Sequence, residues 1–137
     1  NIYSAEKDYV SAYISNGELL PMLKDMFMED SEKYKRDYYG TLVSQSFYSN
    51  LLGKFEEGEQ YSLEALKEDS TQHIANTNLA AALLFQGKVE EAEKLYRQYK
   101  EEFMDGFLED FAEFERLGII PEERKTDVER IKAMIKE

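Results

Sequence analysis

The sequence contains no cysteine, and it has only two prolines and one histidine among 137 residues. Without cysteine the chain can form no disulfide, no thiolate nucleophile and no zinc–thiolate site. The scarcity of proline leaves long segments free to be helical, and the alternation of apolar and polar residues that marks strands is rare. These absences predict an all-α fold, and the length suits one domain with a sizeable core.

Basic residues are also few, since 17 lysines and arginines stand against 29 acidic residues and give a net charge of −12. A protein that binds nucleic acid needs a basic stripe for the phosphates, so this charge argues against nucleic-acid binding. It also disfavours anionic membrane surfaces. No apolar run reaches the length of a membrane span, so no membrane insertion is expected. A basic partner would be attracted, although a negative surface more often serves solubility.

The residues that usually carry catalysis are sparse. His73 lies beside Asp69 at the expected start of a helix, where a surface or capping role is more common than that of a general base. The glutamate pairs at 56–57, 90–91 and 122–123 point in different directions on a helix, as neighbours do. No glycine-rich phosphate loop or nucleophile elbow is present. We therefore predict no enzyme activity, no cofactor and no metal.

An internal repeat is the strongest feature of the sequence. Segments 52–59 and 86–93 share a glycine, a lysine, an apolar residue, two glutamates, a small residue and a third glutamate. Gly53 and Gly87 are 34 residues apart (87 − 53). A fixed period of this length is typical of helical repeat arrays, in which each unit is a pair of helices.

The spacing of apolar residues predicts about eight helices in four antiparallel pairs. Gly53, Gly87 and Gly118 would end helices, because glycine tolerates the left-handed conformation that follows a helix. Asn16-Gly17 and Asp105-Gly106 are read as further breaks. The expected helices cover residues 2–15, 18–29, 31–52, 55–68, 72–85, 89–103 and 107–117, and a last helix follows Thr126.

Local signals refine these boundaries. Asp30 or Ser31 can cap the third helix. Thr126 and Glu129 have the spacing of a capping box. Gly40 lies inside the third helix and lowers its propensity by about 1 kcal/mol relative to alanine. Close approach of a neighbouring helix would explain Gly40.

The segment from Asn78 to Ala92 resembles a tetratricopeptide repeat. The pattern of small, large and aromatic residues in this family is matched at Ala80, Leu83, Gly87, Ala92 and Tyr96. The earlier copy matches less well, because Gly58 replaces the usual alanine and Ser62 the usual aromatic residue. The closing part of the chain is similar to the C-terminal region of some uncharacterised bacterial tetratricopeptide-repeat proteins.

This resemblance implies a right-handed α-solenoid of antiparallel helix pairs that ends in a C-terminal capping hairpin. The single helical-repeat domain, 1–137, would then comprise an N-terminal helix pair (1–30), a weak repeat (35–69), a clear repeat (70–104) and a degenerate capping hairpin (105–137). A divergent terminal unit fits a cap, because an array must close its exposed end.

In such arrays the first helix of each pair lines the concave face, where peptides bind. The resemblance places eight residues on this face: Phe47, Asn50, Leu51, Ile74, Thr77, Asn78, Ala81 and Phe85. The amides of Asn50 and Asn78 could hold a peptide backbone, since an amide both donates and accepts hydrogen bonds. Alternatively, Asn50 caps a helix or faces solvent, and Asn78 holds a neighbouring helix.

The leading functional hypothesis is a non-catalytic module that binds a protein or peptide on the concave face. The second is a C-terminal accessory or regulatory domain of a larger enzyme, because some of the similar bacterial proteins carry a caspase-like peptidase upstream. The third and least favoured hypothesis is a small enzyme whose activity depends on His73. An exposed apolar flank at residues 18–28 would favour a homodimer or packing on an N-terminal domain outside this sequence.

Overall fold

The computed structural model describes the backbone of residues 2–137 and the side chains of residues 8–137. Over this range it contains helices and no strand, which confirms the prediction of an all-α fold. Each helix packs against the next along the chain, and the second also contacts the fourth. The α-helices are α1 (Ile2–Glu29), α2 (Ser31–Leu51), α3 (Phe55–Glu68), α4 (Ala75–Phe85), α5 (Val89–Leu117) and α6 (Lys125–Lys136), and a 3-10 turn at Glu122–Arg124 precedes α6.

The prediction of an N-terminal helix pair is wrong, because α1 is one continuous helix with Pro21 inside it. Asn16 and Gly17 do not end a helix but contact α2. The Asn16 amide donates to the Thr41 carbonyl at 2.9 Å and to the Gln45 side chain at 3.1 Å. A β-carbon at Gly17 would lie 3.3 Å from Gln45 Nε2. The Asn-Gly pair therefore serves close helix packing rather than a turn.

The expected break at Asp105-Gly106 is found as a kink at Phe103, where the predicted helix was expected to end, whereas Asp105 and Gly106 themselves are helical. The helix bends at Phe103, whose φ and ψ are −124° and 26°, and continues to Leu117 as the second half of α5. The Phe103 ring lies 6.3 Å from the rings of both Tyr99 and Phe107, so aromatic contacts span the bend. Two helices of the expected eight are thus the two halves of one kinked helix.

The repeat identified in the sequence reappears as a repeated turn. Gly53 and Gly87 have φ values of +78° and +88°, in the left-handed region that favours glycine. At each turn the glycine N–H donates to the backbone carbonyl three residues earlier, at 3.0 Å. The backbone N–H of the lysine that follows donates to the carbonyl five residues before it, at 2.8 to 2.9 Å. Gly118, at φ +68°, makes a third turn with this bonding pattern. All three glycines end helices as predicted.

The cap signals gave mixed results. Asp30 Oδ1 accepts a hydrogen bond from the Lys33 N–H at 3.2 Å, so the predicted cap on α2 is confirmed. The capping box is wrong, because α6 begins at Lys125 and Thr126 already lies inside its first turn. The explanation offered for Gly40 is also wrong, since no atom of a neighbouring helix lies within 4 Å of the position of its missing β-carbon.

The centre of the fold is α4, in which every residue is buried. It packs on α2, α3 and α5, as its nearly uniform apolar sequence predicted. Four aromatic residues of α5 complete the main core: Tyr96, Phe107, Phe111 and Phe114, each at most 2% exposed. Burying a side chain of this size contributes about 1.5 to 3 kcal/mol. Within residues 2–137, no helix combines the length and apolar character needed to cross a membrane.

Candidate functional site

The eight residues expected on a concave face lie at the C-terminal half of α2, just before α4, and along α4. Only Ile74 is well exposed, at 42%, and Phe47 is partly exposed. The other six are buried in the fold: Asn50, Leu51, Thr77, Asn78, Ala81 and Phe85. A ligand that bound to this side of the molecule could therefore contact few of the eight residues that the resemblance places there.

The two amides link α2 to α4. Asn78 Nδ2 donates to the Val43 carbonyl at 3.0 Å and to Ser46 Oγ at 2.8 Å. Asn50 Nδ2 donates to the Asn78 carbonyl at 3.0 Å. Asn78 therefore holds a neighbouring helix, which is the alternative that the sequence left open for it. Asn50, at 0% exposure, neither caps a helix nor faces solvent.

The two aromatic residues of the expected face both contact α5. The Phe114 ring lies edge-on to Phe85, with 5.2 Å between ring centroids, and 6.5 Å from Phe47. Next to it, the Tyr9 hydroxyl donates to the Glu113 carboxylate and so ties α1 to the same end of α5. A ligand at Phe85 would first have to displace this part of α5, and Phe47 offers only the part of its ring that Phe114 leaves exposed.

An open groove exists elsewhere, between α1 and α3, and α2 forms its floor. Its volume is about 400 Å³. Leu20, Tyr38 and Leu42 are buried at its base, so the floor is apolar. The lining residues are Gly17, Leu20, Pro21, Lys24, Tyr38, Leu42, Gln60, Tyr61 and Glu64. We call this feature the α1–α3 groove.

Exposed apolar side chains concentrate on the helix that forms one wall of this groove. Five of the eight large, exposed hydrophobic residues in the described part of the chain belong to α1: Val10, Ile14, Leu19, Met22 and Met28. Val10, Ile14, Pro21 and Met28 follow one another at spacings of four and seven residues, which keeps them on one face of a helix. We call these four residues the α1 stripe. The flank at residues 18–28 is thus exposed at several apolar positions.

Tyr13 joins the two walls one turn before the groove. Its hydroxyl is 2.7 and 3.0 Å from the two carboxylate oxygens of Glu57 on α3, to which it donates. Burial, together with this hydrogen bond, raises the pKa of Tyr13 to about 12. The hydroxyl therefore keeps its proton, and its bond to Glu57, throughout the neutral range.

His73 lies away from both features. Its Nδ1 is 2.9 Å from Glu102 Oε1, and its ring is 5.4 Å from that of Tyr99, with the His73 and Glu102 side chains both exposed. Asp69, four residues earlier in the sequence, instead accepts hydrogen bonds from the backbone N–H and the hydroxyl of Thr71. In the part of the chain that the structure describes, no three acidic or histidine side chains are grouped so as to hold a metal ion.

Comparison with known proteins gives no relative. No protein-family model matches the chain, and no curated protein or solved structure matches it. The resemblance to tetratricopeptide repeats therefore depends on the residues quoted above.

Proposed function

We propose that this chain is a non-catalytic protein-interaction module whose docking surface is the α1–α3 groove together with the α1 stripe. The observation that carries this proposal is the row of exposed apolar side chains along one face of α1, the α1 stripe, beside an open apolar groove. A soluble domain rarely exposes such a cluster without a partner to cover it. Ile14 at 53% and Met28 at 74% exposure are the clearest members.

The concave-face version of this function has less support. Its two largest apolar residues, Phe47 and Phe85, already contact Phe114 of the same chain. Its two amides already bond within the fold. Binding there would cost these contacts, whereas binding at the groove would cover surface that is already open.

A peptide-display selection tests the proposal directly. The protein would be immobilised and panned against a library of random peptides. We expect enrichment of a peptide family that the native protein retains and that the double variant Ile14→Lys/Met28→Lys loses. Because both side chains are largely exposed, this variant should keep its helical circular dichroism.

Leu63→Lys is the matched control, since Leu63 is 48% exposed on α3 and does not line the groove. It should retain the peptides. The proposal fails if no family is enriched, or if the Ile14→Lys/Met28→Lys variant retains the peptides as well as the native protein does.

A further inference from the structure

The charges beside the α1 stripe indicate what covers it. Glu18 and Asp25 each follow a stripe residue by four positions, Ile14 and Pro21 respectively, and Glu29 follows Asp25 at the same spacing. They therefore form an acidic row alongside the apolar one. All three are exposed, and no ion pair among side chains 8–137 includes any of them.

The opposite wall of the groove is also acidic. Glu64 of α3 lines the groove, and Glu57 lies about two turns earlier on the same helix, bound to Tyr13. Lys24 is the one cation among the residues that line it. The surface formed by the stripe and the groove therefore has acidic residues along both edges, the row on α1 and Glu64 on α3, with Lys24 between them. The chain as a whole has a net charge of −12.

We propose that the occupant is a basic amphipathic helix, and this inference rests on the proposed function. Apolar side chains spaced by three and four residues would lie on the stripe and in the groove, as in other helix-in-groove complexes. Lysine or arginine on either side would face Glu18, Asp25 and Glu64. Such complementary charge mainly raises the association rate and selects against acidic segments.

A second copy of this chain is the less suitable occupant. Two α1 helices related by a two-fold axis would present the same surface to each other. Their acidic rows at Glu18 and Asp25 would then lie on both sides of one interface. Like charges in an interface are unfavourable, so the row that attracts a basic helix opposes self-association.

The test uses a fluorescent synthetic peptide of about four helical turns, built from leucine at helical spacing and lysine. One control peptide has glutamate in place of lysine, and another has the same composition in scrambled order. Fluorescence anisotropy with the whole 137-residue chain should show that the basic amphipathic peptide binds at least about tenfold more tightly than either control. Equal affinity for the scrambled peptide would overturn the inference.

Two charge-neutralised variants distinguish an effect of the acidic row on α1 from general attraction by the negative charge of the chain. Glu18→Gln/Asp25→Asn should weaken binding about tenfold, while Glu101→Gln/Glu123→Gln, which removes two exposed charges elsewhere, should change it little. An equal loss in both variants would overturn the inference.

Two further outcomes would contradict the inference but would still be consistent with the proposed function. One is display selection of acidic peptides that still require Ile14 and Met28. The other is sedimentation as a dimer that Ile14→Lys/Met28→Lys dissociates, because the surface would then serve a second copy.

Discussion

The side chain of Asn50 fills the space that a β-carbon at Gly58 would need. A β-carbon built at Gly58 would lie 2.0 Å from Asn50 Oδ1 and 3.3 Å from the Ser46 carbonyl oxygen. One repeat later, the corresponding positions are Leu84 and Ala92, both fully buried. The glycine that replaces the usual alanine in the first copy is therefore matched to the asparagine on the facing helix.

Gly58→Ala should destabilise the protein by about 1 to 2 kcal/mol. Overpacking a tight contact costs about 1 to 3 kcal/mol, and the higher helix propensity of alanine returns up to about 1 kcal/mol. The free energy of unfolding can be measured by urea titration followed by circular dichroism.

The same substitution made in an Asn50→Ala background supplies the control. With the amide removed, Gly58→Ala should become close to neutral, because the gain in helix propensity is then opposed only by the 3.3 Å contact with the Ser46 carbonyl oxygen. A cost that is the same in both backgrounds would show that Asn50 is not the obstacle.

Two other glycines should respond to alanine in opposite directions. Gly87→Ala should lower the free energy of unfolding by about 1 to 2 kcal/mol, because an L-residue is strained at its φ of +88°. Gly40→Ala should raise it by about 0.5 to 1 kcal/mol, because Gly40 is an exposed helical residue with open space around it.

Thermal unfolding of these two single variants, beside Gly53→Ala, gives the comparison. Gly53→Ala should resemble Gly87→Ala, since the two turns have the same backbone hydrogen bonds. If Gly53→Ala instead stabilised the protein as Gly40→Ala is expected to do, the two turns would not be equivalent in energy.

Most of the helical content could be predicted from the sequence, because apolar spacing and the helix-ending glycines depend on local chemistry. Gly53, Gly87 and Gly118 each have a positive φ, which is the property that the sequence signal reports. Asn16-Gly17 carries a similar signal but lies inside α1. There the partner is Gln45, 28 positions away, and no local pattern reveals such a contact.

The surface proposed for binding was harder to predict than the fold. The resemblance to a repeat family placed ligand contacts on α2 and α4, but it could not show that Phe114 contacts Phe47 and Phe85. The stripe was present in the sequence as the spacing of Val10, Ile14 and Met28. It was missed because a helix boundary assumed at Gly17 divided it.

The stability of the protein should depend on pH through Asp110. Burial raises the pKa of this carboxyl from 3.8 to about 7, and the nearby charge of Glu109 adds to the effect. Between these values the folded state holds a proton that the unfolded state has released. The contribution of Asp110 to the free energy of unfolding therefore falls as pH rises from about 4 to about 7.

Asp110→Asn keeps this position uncharged at every pH, so it should remove that part of the dependence. The free energy of unfolding of the variant minus that of the native protein should be larger at pH 8 than at pH 5, by on the order of 2 kcal/mol. One pKa unit corresponds to about 1.4 kcal/mol. Urea titrations at the two pH values measure the difference.

Glu101→Gln removes an equal charge from an exposed position and should show little change between the two pH values. If both variants shifted alike, general charge repulsion in this acidic chain, rather than the burial of Asp110, would account for the pH dependence.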